Sequence, residues 1–264
     1  MANVFEIKDL HFAYGTNEVI KGLSVKIAEG KVTTLIGANG CGKSTLFNLI
    51  TKNLRPKSGS ILMNGTDVAD MRLKEFAQKA AIVHQYNTAP EDITVEKLVG
   101  YGRTPHQSFG ISSDTKKDEE MIETAMQITN ITKHRDKPVS KLSGGQRQRV
   151  WIAMALAQET KILFLDEPTT YLDIRYQLQI LKLVRTLNEQ YGMTIIMVLH
   201  DINQSLYYSD EIIAMKDGKI CAQGEPQKII TSELMREVYG VDLQISQLDG
   251  KPFIMPIGRD KAVY

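Results

Sequence analysis

The sequence has little of several features that mark specialised protein classes. Its only cysteines are Cys41 and Cys221, which give no disulfide framework and fit a reducing compartment. The 32 basic and 31 acidic residues nearly cancel, so no overall field recruits nucleic acid or anionic lipid. The longest apolar runs, such as TIIMVL at 194–199, fall far below the ~18 residues of a membrane span. The first residues, MANVFEIKDL, lack the apolar centre of a signal peptide, so we expect a soluble chain in which any membrane role needs a partner.

What the chain does have is the alternation of strands and helices that is typical of an α/β fold. The nearly all-apolar segments KILFLDEP (161–168) and TIIMVLHD (194–201) each lead into a helical pattern. Strands that are apolar on both faces and alternate with helices indicate a parallel sheet covered on both sides. Residues 86–155 are dominated by helical patterns. We therefore predict an α/β core with a helical insertion and a short β-rich tail. Hairpin turns are predicted at Asn64-Gly65, Asp217-Gly218 and Asp249-Gly250.

The segment GANGCGKST has the spacing G-x-x-x-x-G-K-[ST] of a phosphate-binding loop. It lies between a predicted buried strand and a predicted helix, where backbone N–H groups and the helix dipole attract an anion. Lys43 is predicted to contact the β- and γ-phosphates and the Ser44 hydroxyl to bind Mg²⁺. A flexible glycine turn followed by an ordinary lysine is the alternative, which the complete motif disfavours. The nucleotide-binding candidates in this loop are Gly37, Asn39, Gly40, Cys41, Gly42, Lys43, Ser44 and Thr45.

Cys41 within this loop allows two interpretations. It can be a tolerated small residue. Alternatively, the helix N-terminus and Lys43 lower the pKa of its thiol, so that a thiol reagent inactivates the protein and ATP protects it.

Polar residues end three of the predicted strands. Asp166 and Glu167 end KILFLDEP, at the strand edge where doubly wound sheets bind ligands. Asp166 is predicted to orient Mg²⁺ or its water, and Glu167 to polarise the attacking water. Because two carboxylates repel a triphosphate, this pair requires the metal. His200 is predicted to donate a hydrogen bond to charge that develops near the γ-phosphate, although a strand-end histidine alone is more often structural. Gln85 is a candidate ligand for Mg²⁺ and water, or equally an exposed strand terminus.

The segment KLSGGQRQR contains a second glycine-rich helix start. Ser143 and Gln146 have the spacing of a capping box. Capping does not explain Gly144 and Gly145, since each glycine lowers helix stability by up to ~1 kcal/mol. The two glycines leave backbone N–H groups approachable, which predicts a second anion cradle at a helix N-terminus.

Together these motifs resemble those of the ATP-binding subunit of ABC (ATP-binding cassette) transporters. The resemblance spans Val4 to about Tyr239 with all motifs in order, and the tail after Gly240 matches nothing. Tyr14 is similar to the aromatic residue on which adenine stacks, although a half-buried strand aromatic would otherwise be the simpler interpretation. The other similarities are GANGCGKST to the Walker A motif, Gln85 to the Q-loop, LSGGQ to the signature, ILFLDEP to Walker B with its catalytic glutamate Glu167, YLD (171–173) to the D-loop and His200 to the switch histidine.

The resemblance implies a P-loop NTPase (RecA-like) core with an antiparallel β subdomain and an inserted α-helical subdomain. An ABC ATP-binding domain is expected over residues 1–240. Its core is expected at 1–85 and 156–240 and its helical subdomain at 86–155. Residues 241–264 are expected to form a β-hairpin tail.

The resemblance also implies Mg²⁺-dependent ATP hydrolysis by two copies arranged head to tail. Each ATP would contact Lys43 of one copy and the signature, Ser143 to Gln146, of the other, and Asp173 would cross the same interface. Further implied partners are integral-membrane permease subunits and, indirectly, a substrate-binding protein, but no nucleic acid. The subunit would then work at the cytoplasmic face of the cell membrane, attached through the permease.

Segments between the motifs indicate which branch of the family the chain resembles. YGRTPHQ (101–107), WIAMALAQET (151–160) and TTYLDIRYQLQIL (169–181) are similar to the branch that serves iron(III)-siderophore, haem and vitamin B12 importers. This implies an ATPase for import of an iron(III)-siderophore or related metal chelate, with haem or cobalamin as alternative cargoes. A non-transport ABC ATPase, in Fe–S assembly or DNA repair, is the rival within the fold. A P-loop kinase is the rival from another class, but it gives no role to LSGGQ.

For several side chains of the helical insertion, the sequence leaves two interpretations open. Tyr86, Tyr101 and Phe109 could line a groove for a permease helix, or could belong to the core of the lobe. Arg147 and Arg149 could help phosphate geometry, with solvated helix faces as the favoured interpretation.

Overall fold

The computed structural model describes residues 2–107, 115–248 and 251–255. Its strands are β1 (Asn3–Tyr14), β2 (Asn17–Ala28), β3 (Val32–Gly37), β4 (Ser58–Met63), β5 (Thr66–Asp67), β6 (Ala80–Val83), β7 (Ile162–Asp166), β8 (Thr194–Val198), β9 (Glu211–Lys216), β10 (Lys219–Gly224), β11 (Gln244–Leu248) and β12 (Lys251–Met255). Its α-helices are α1 (Lys43–Ile50), α2 (Leu73–Ala77), α3 (Val95–Gly100), α4 (Thr115–Ile128), α5 (Gly144–Ala157), α6 (Ile174–Tyr191), α7 (Ile202–Tyr208), α8 (Pro226–Ile229) and α9 (Ser232–Tyr239). Short 3-10 turns lie at Tyr101–His106, Thr132–His134 and Val139–Lys141.

These elements pack as two compact units. The first unit consists of the described residues within Met1–Met71 and Thr194–Tyr264, and the second unit is Arg72–Met193. The division of the chain expected at 85/86 and 155/156 stays a prediction.

Two sheets form the first unit. In one, β1 lies antiparallel between β2 and β4, with β5 beside β4. In the other, β3 lies parallel between β8 and β9, and β10 runs antiparallel to β9. The predicted turns Asn64-Gly65 and Asp217-Gly218 are confirmed, since φ is positive at all four residues, as a two-residue hairpin loop of this type requires.

Two candidate residues, Gly37 and His200, lie at the carboxyl edge of the parallel strands in the first unit. Every residue of β3 is buried, and the strand ends at Gly37. Leu35 of β3 pairs with Val198 of β8, so the residues that follow β8, including His200, lie at the same edge as the start of the phosphate loop. Parallel sheets bind ligands at this edge, which makes it the expected place for a site.

The second unit combines a parallel strand pair with a helical lobe. β6 and β7 are parallel, and Val83 pairs with Leu165. Gln85 and Glu167 therefore follow their strands at the same level. The lobe has its own apolar core between α3, α4 and α5, formed by residues such as Val95, Met126 and Val150.

Arg103, in the YGRTPHQ segment, is a buried cation of the second unit. It is 2% exposed, donates to Asp118 at 2.7 Å from Nε and donates to the Ala157 carbonyl at 2.8 Å from Nη1. A buried charge is tolerated only when it is paired in this way. Arg103 therefore fastens its 3-10 turn to α4 and to the end of α5.

The C-terminal segment of the first unit forms α9 and an antiparallel hairpin of β11 and β12. The hairpin was expected for the tail, and its predicted Asp249-Gly250 turn lies outside the described residues. Among the described residues, no helix has both the length and the apolar character needed to cross a membrane.

Candidate functional site

The phosphate loop has the backbone geometry that its sequence predicts. Gly37, Gly40 and Gly42 have φ values of 151°, 79° and 104°, which disfavour residues with a side chain. A Cβ at Gly37 would lie 2.4 Å from the Met215 carbonyl oxygen, so this position has no room for one. Gly42 is the N-cap of α1, and the N–H of Leu46 donates to its carbonyl at 2.8 Å. The loop therefore ends on a helix N-terminus, the usual cradle for a phosphate.

The Lys43 ammonium contacts the loop itself. Lys43 is 5% exposed, and its Nζ donates to the carbonyls of Gly37 at 2.7 Å and Ala38 at 3.0 Å. The positive charge is thus held beside the cradle, where it adds to the potential of the helix N-terminus. Ser44 is exposed in the first turn of α1.

The surroundings of Cys41 contradict the interpretation in which the pKa of its thiol is lowered. The thiol is buried, and burial raises its pKa above the ordinary value, although Lys43 acts in the opposite direction. The predicted lowering of this pKa is wrong, because removing the thiolate from water outweighs the attraction of the ammonium.

His200 and Tyr14 are both accessible in the first unit. His200 is exposed after β8, and the N–H of the preceding Leu199 donates to the Leu35 carbonyl of β3 at 3.4 Å. Tyr14 ends β1 with 52% of its surface exposed. Its ring meets Phe12 edge-on, with centroids 4.8 Å apart, so a face of Tyr14 is left for a planar ligand.

The β9–β10 hairpin supports the phosphate loop through a contact that the sequence did not reveal. The N–H of Gly218 donates to the Cys41 carbonyl at 3.0 Å, and its carbonyl accepts from the Lys21 N–H at 3.1 Å. A Cβ at Gly218 would lie 2.1 Å from the Val19 carbonyl oxygen. The sequence predicted a hairpin turn at Asp217-Gly218, but no local feature indicated that this turn contacts the phosphate loop.

In the second unit, Gln85 and Glu167 are in contact. Gln85 Nε2 donates to Glu167 Oε2 at 2.5 Å, and the Thr170 hydroxyl donates to the same oxygen at 3.1 Å. Asp166, half-buried, is the last residue of β7. Glu167 has a φ of 48°, which turns the chain sharply after the strand. The Glu167 carboxylate is thus oriented by two donors from its own unit.

Two exposed tyrosines lie beside this carboxylate. The hydroxyls of Tyr86 and Tyr171 are 3.1 Å apart, and their rings are 6.3 Å apart between centroids. Their exposed fractions are 70% and 81%, and the hydrogen bond raises the pKa of Tyr86. Tyr101 is 58% exposed, so the core interpretation is wrong for Tyr86 and Tyr101, and Phe109 lies outside the described residues.

The signature segment begins α5 with both halves of the predicted capping box. The Gln146 N–H donates to Ser143 Oγ at 3.4 Å, and the Ser143 N–H donates to Gln146 Oε1 at 2.9 Å. The two glycines have different surroundings. Gly145 is buried, and a Cβ there would lie 2.3 Å from the Tyr176 ring, whereas Gly144 is exposed with its nearest contact at 3.5 Å. Packing against α6 therefore explains Gly145 and does not explain Gly144.

The remaining polar candidates of the second unit differ in their surroundings. Asp173 is exposed and caps α6, since its Oδ1 accepts from the Tyr176 N–H at 3.1 Å. Arg147 is exposed as expected. The solvated face expected for Arg149 is wrong, because its guanidinium donates to the Thr129 carbonyl at 2.8 Å and to Gln179 Oε1 at 3.0 Å. Burial also lowers the pKa of Arg149.

Comparison with known proteins decides the family. The profile of the family described as "ABC transporter" matches residues 20–170. This chain belongs to the ABC transporter family. The petrobactin import ATP-binding protein FpuD of Bacillus anthracis is 43% identical to it, over 100% of this chain and 97% of that protein. The ferric enterobactin transport ATP-binding protein FepC of Escherichia coli K12 is 44% identical, over 96% and 93%.

Solved structures of the ABC transporter family have the same fold. A chain of a transporter described as metal-chelate type, in an inward-facing conformation, has a TM-score of 0.82 at 27% identity and covers 97% of this chain and 96% of its own. CbiO1 of Clostridium perfringens, part of the complex cbiONQ, has a TM-score of 0.77 at 32% identity, over 90% and 95%. The expected P-loop NTPase fold and the assignment as an ATP-binding, ATP-hydrolysing subunit are confirmed.

Proposed function

We propose that this chain is the ATP-hydrolysing subunit that powers import of an iron(III)-siderophore or related metal chelate through a separate membrane permease. The observation that carries the ATPase part is a formed phosphate loop together with a strand-end glutamate held by two donors. The cargo is supported by full-length similarity to ATP-binding proteins named for petrobactin and ferric enterobactin. The chain would work at the cytoplasmic face of the membrane, attached through the permease, with a substrate-binding protein as an indirect partner.

ATP binding starts at the phosphate loop. The Lys43 ammonium, now on the Gly37 and Ala38 carbonyls, would exchange these acceptors for β- and γ-phosphate oxygens. The exchange replaces two neutral acceptors with charged ones, which strengthens the hydrogen bonds. Tyr14 would stack on adenine with its exposed face. The loop candidates Asn39 to Gly42, with Ser44 and Thr45, would donate through backbone N–H groups and the hydroxyl groups of α1, and Gly37 would shape the start of the loop.

The residues proposed for Mg²⁺ fit that ion by their chemistry. The Ser44 hydroxyl, the Gln85 amide oxygen and the Asp166 carboxylate are oxygen ligands, which Mg²⁺ prefers. Because the Gln85 nitrogen donates to Glu167, the amide oxygen is the atom left for a cation. In the described part of the chain, no three or more His, Cys, Asp or Glu residues form a group that could hold a metal. Bound there, Mg²⁺ would neutralise charge on the phosphate oxygens.

Glu167 is the proposed group that polarises the attacking water. Gln85 and Thr170 hold the Glu167 carboxylate in one orientation. The carboxylate would therefore already be in place when it accepts a proton from water. His200, exposed at the carboxyl edge of its sheet, would donate a hydrogen bond to charge on the γ-phosphate as it develops.

The signature is proposed to complete the ATP site of a second copy. Ser143 and Gly144 are exposed at the start of α5, where N–H groups and the helix dipole favour an anion. ATP held between Lys43 of one copy and Ser143, Gly144, Gly145 and Gln146 of the other would favour a closed head-to-tail dimer. Asp173 is proposed to cross that interface. Hydrolysis removes the γ-phosphate contacts, and the equilibrium shifts by that difference in affinity.

Reconstitution with the cognate permease tests this function. Proteoliposomes that contain the permease, this chain and enclosed ATP should take up radiolabelled iron(III)-siderophore delivered by the binding protein. Uptake of cobalamin or haem in place of the siderophore would correct the cargo. A stable complex with Fe–S assembly or DNA-repair proteins and no association with any permease would contradict transport.

A further inference from the structure

The C-terminal segment contacts the phosphate loop within the first unit. The Gly37 N–H donates to the Tyr239 hydroxyl at 3.1 Å, across a sequence separation of 202 residues. Gly37 is the residue at which β3 ends and the loop begins, and Tyr239 is the last residue of α9. The hydrogen bond therefore joins a segment with no family motif to the start of the nucleotide site.

Tyr239 is fixed in place by its own helix. The Thr231 side chain caps α9 by accepting from the Leu234 N–H at 3.2 Å, and Gly240 ends the helix with a φ of 71°. The buried face of α9 packs in one apolar cluster with Ile36, the residue before Gly37. The residues of that face are Leu234, Met235 and Val238. The same cluster therefore holds both partners of the hydrogen bond in register.

The hairpin after α9 is fastened to the first unit as well. Asn203 of α7 donates from Nδ2 to the Ile254 carbonyl at 2.9 Å, and its Oδ1 accepts from the Ile254 N–H at 2.9 Å. The Ile254 side chain is 2% exposed and belongs to the cluster that contains Ile36. The segment from α9 to β12 is thus anchored at both of its ends.

The Tyr239 contact and the Lys43 contact use different groups of Gly37. Lys43 donates to the Gly37 carbonyl, and it must leave that carbonyl to reach a phosphate. Tyr239 accepts from the Gly37 N–H, so a change of acceptor by Lys43 does not itself break this bond. The Tyr239 bond therefore remains to hold Gly37 when Lys43 changes acceptor.

We propose that Tyr239 is a positioning residue of the nucleotide site, whose hydroxyl holds the Gly37 backbone so that the phosphate loop is formed before ATP arrives. This role rests on the proposed binding of ATP phosphates by the loop. Burial raises the pKa of Tyr239 to about 12, so the hydroxyl stays protonated and the effect does not titrate near neutral pH.

The substitution Tyr239→Phe tests the proposal, because it removes the hydroxyl and keeps the ring in the cluster. We expect the KM and Kd for ATP to rise about threefold to tenfold, the range of one hydrogen bond, with kcat within about twofold of wild type. Tyr191→Phe, which removes a hydroxyl from a 45% exposed tyrosine of α6, is the matched control and should leave all three constants unchanged. A wild-type chain that binds no ATP would contradict the proposed function and this inference together. Normal wild-type binding with an unchanged Tyr239→Phe variant would overturn this inference alone.

Amide exchange supplies a readout that a merely structural role would not move. In the full chain labelled with ¹⁵N-glycine, the Gly37 amide should exchange faster in Tyr239→Phe than in wild type or in Tyr191→Phe. A variant with a lower Tm but unchanged Gly37 exchange and unchanged KM would overturn positioning and leave Tyr239 a core residue only.

Discussion

The phosphate loop and the signature segment are both glycine-rich helix starts, but their glycines serve different needs. In the phosphate loop, Gly37, Gly40 and Gly42 adopt positive φ values, so backbone conformation requires them. In the signature, Gly144 and Gly145 already lie within α5, and only the close approach of Tyr176 to Gly145 requires the absence of a side chain. The phosphate loop is curled, whereas the signature presents a straight helix end.

The two segments also differ in how their polar groups are satisfied. Lys43 is buried on carbonyls of its own loop, which it must leave to bind phosphate. Ser143 and Gln146 satisfy each other's backbone N–H groups, and that capping needs no ligand. This contrast fits the proposed site shared between two chains, in which one loop would bind ATP alone and the other would meet it already formed.

The largest expected effect separates hydrolysis from binding. Glu167→Gln should reduce ATP hydrolysis by about 10² to 10⁴-fold, since it would remove the proposed general base. ATP binding by the phosphate loop should persist, and the dimer should be trapped in the presence of ATP. Turnover assays and size-exclusion chromatography with ATP measure the two properties. Glu189→Gln, at an exposed residue of α6, is the control and should behave as wild type. Normal hydrolysis by a monomeric Glu167→Gln variant would refute the base assignment.

The next prediction separates the two glycine-rich segments. Ser143→Arg should leave the Kd of the monomer for ATP unchanged. Hydrolysis should fall roughly 10²-fold, because the longer arginine side chain would keep the two copies from closing, and overpacking of this kind costs about 3 kcal/mol. Ser143→Asp keeps a capping oxygen and should block closure equally, since its charge repels phosphate. Ser58→Arg adds the same bulk at an exposed position of β4 and serves as control. Loss of ATP affinity in the monomer would place the signature in the same chain's site.

Local spacing explains why the phosphate loop, the acidic strand end and the capping box could be predicted from sequence. Each is set within about ten residues, where backbone conformation and helix caps follow from residue type. The contacts that the sequence did not reveal join distant segments, such as Tyr239 with Gly37 and Gly218 with Cys41. The error on the Cys41 pKa has the same origin, because burial depends on tertiary packing.

A pair of alanine substitutions sharpens the contrast between the two signature glycines. Gly145→Ala should destabilise the protein by about 1–3 kcal/mol, because its methyl group would collide with the Tyr176 ring. Gly144→Ala should leave stability unchanged or raise it by up to about 1 kcal/mol, since its Cβ has room and alanine favours the helix. Urea unfolding of both variants measures the difference. Equal stability of the two would show that packing on α6 does not select glycine at position 145.

The smallest effect concerns the thiol of the phosphate loop. Because burial raises the pKa of Cys41, the thiolate fraction at neutral pH is below that of a free cysteine, and alkylation should be slower than that of a free thiol. Cys221→Ser leaves Cys41 as the only thiol, so labelling can be followed by mass spectrometry. The raised pKa of Cys41 also makes the stability of the fold depend on pH. The contribution is fully present below the pKa of the unfolded chain and is lost as the pH rises through the pKa of the folded state. Labelling as fast as a free thiol would mean that the Lys43 ammonium outweighs burial, and would make this loop more open than its geometry indicates.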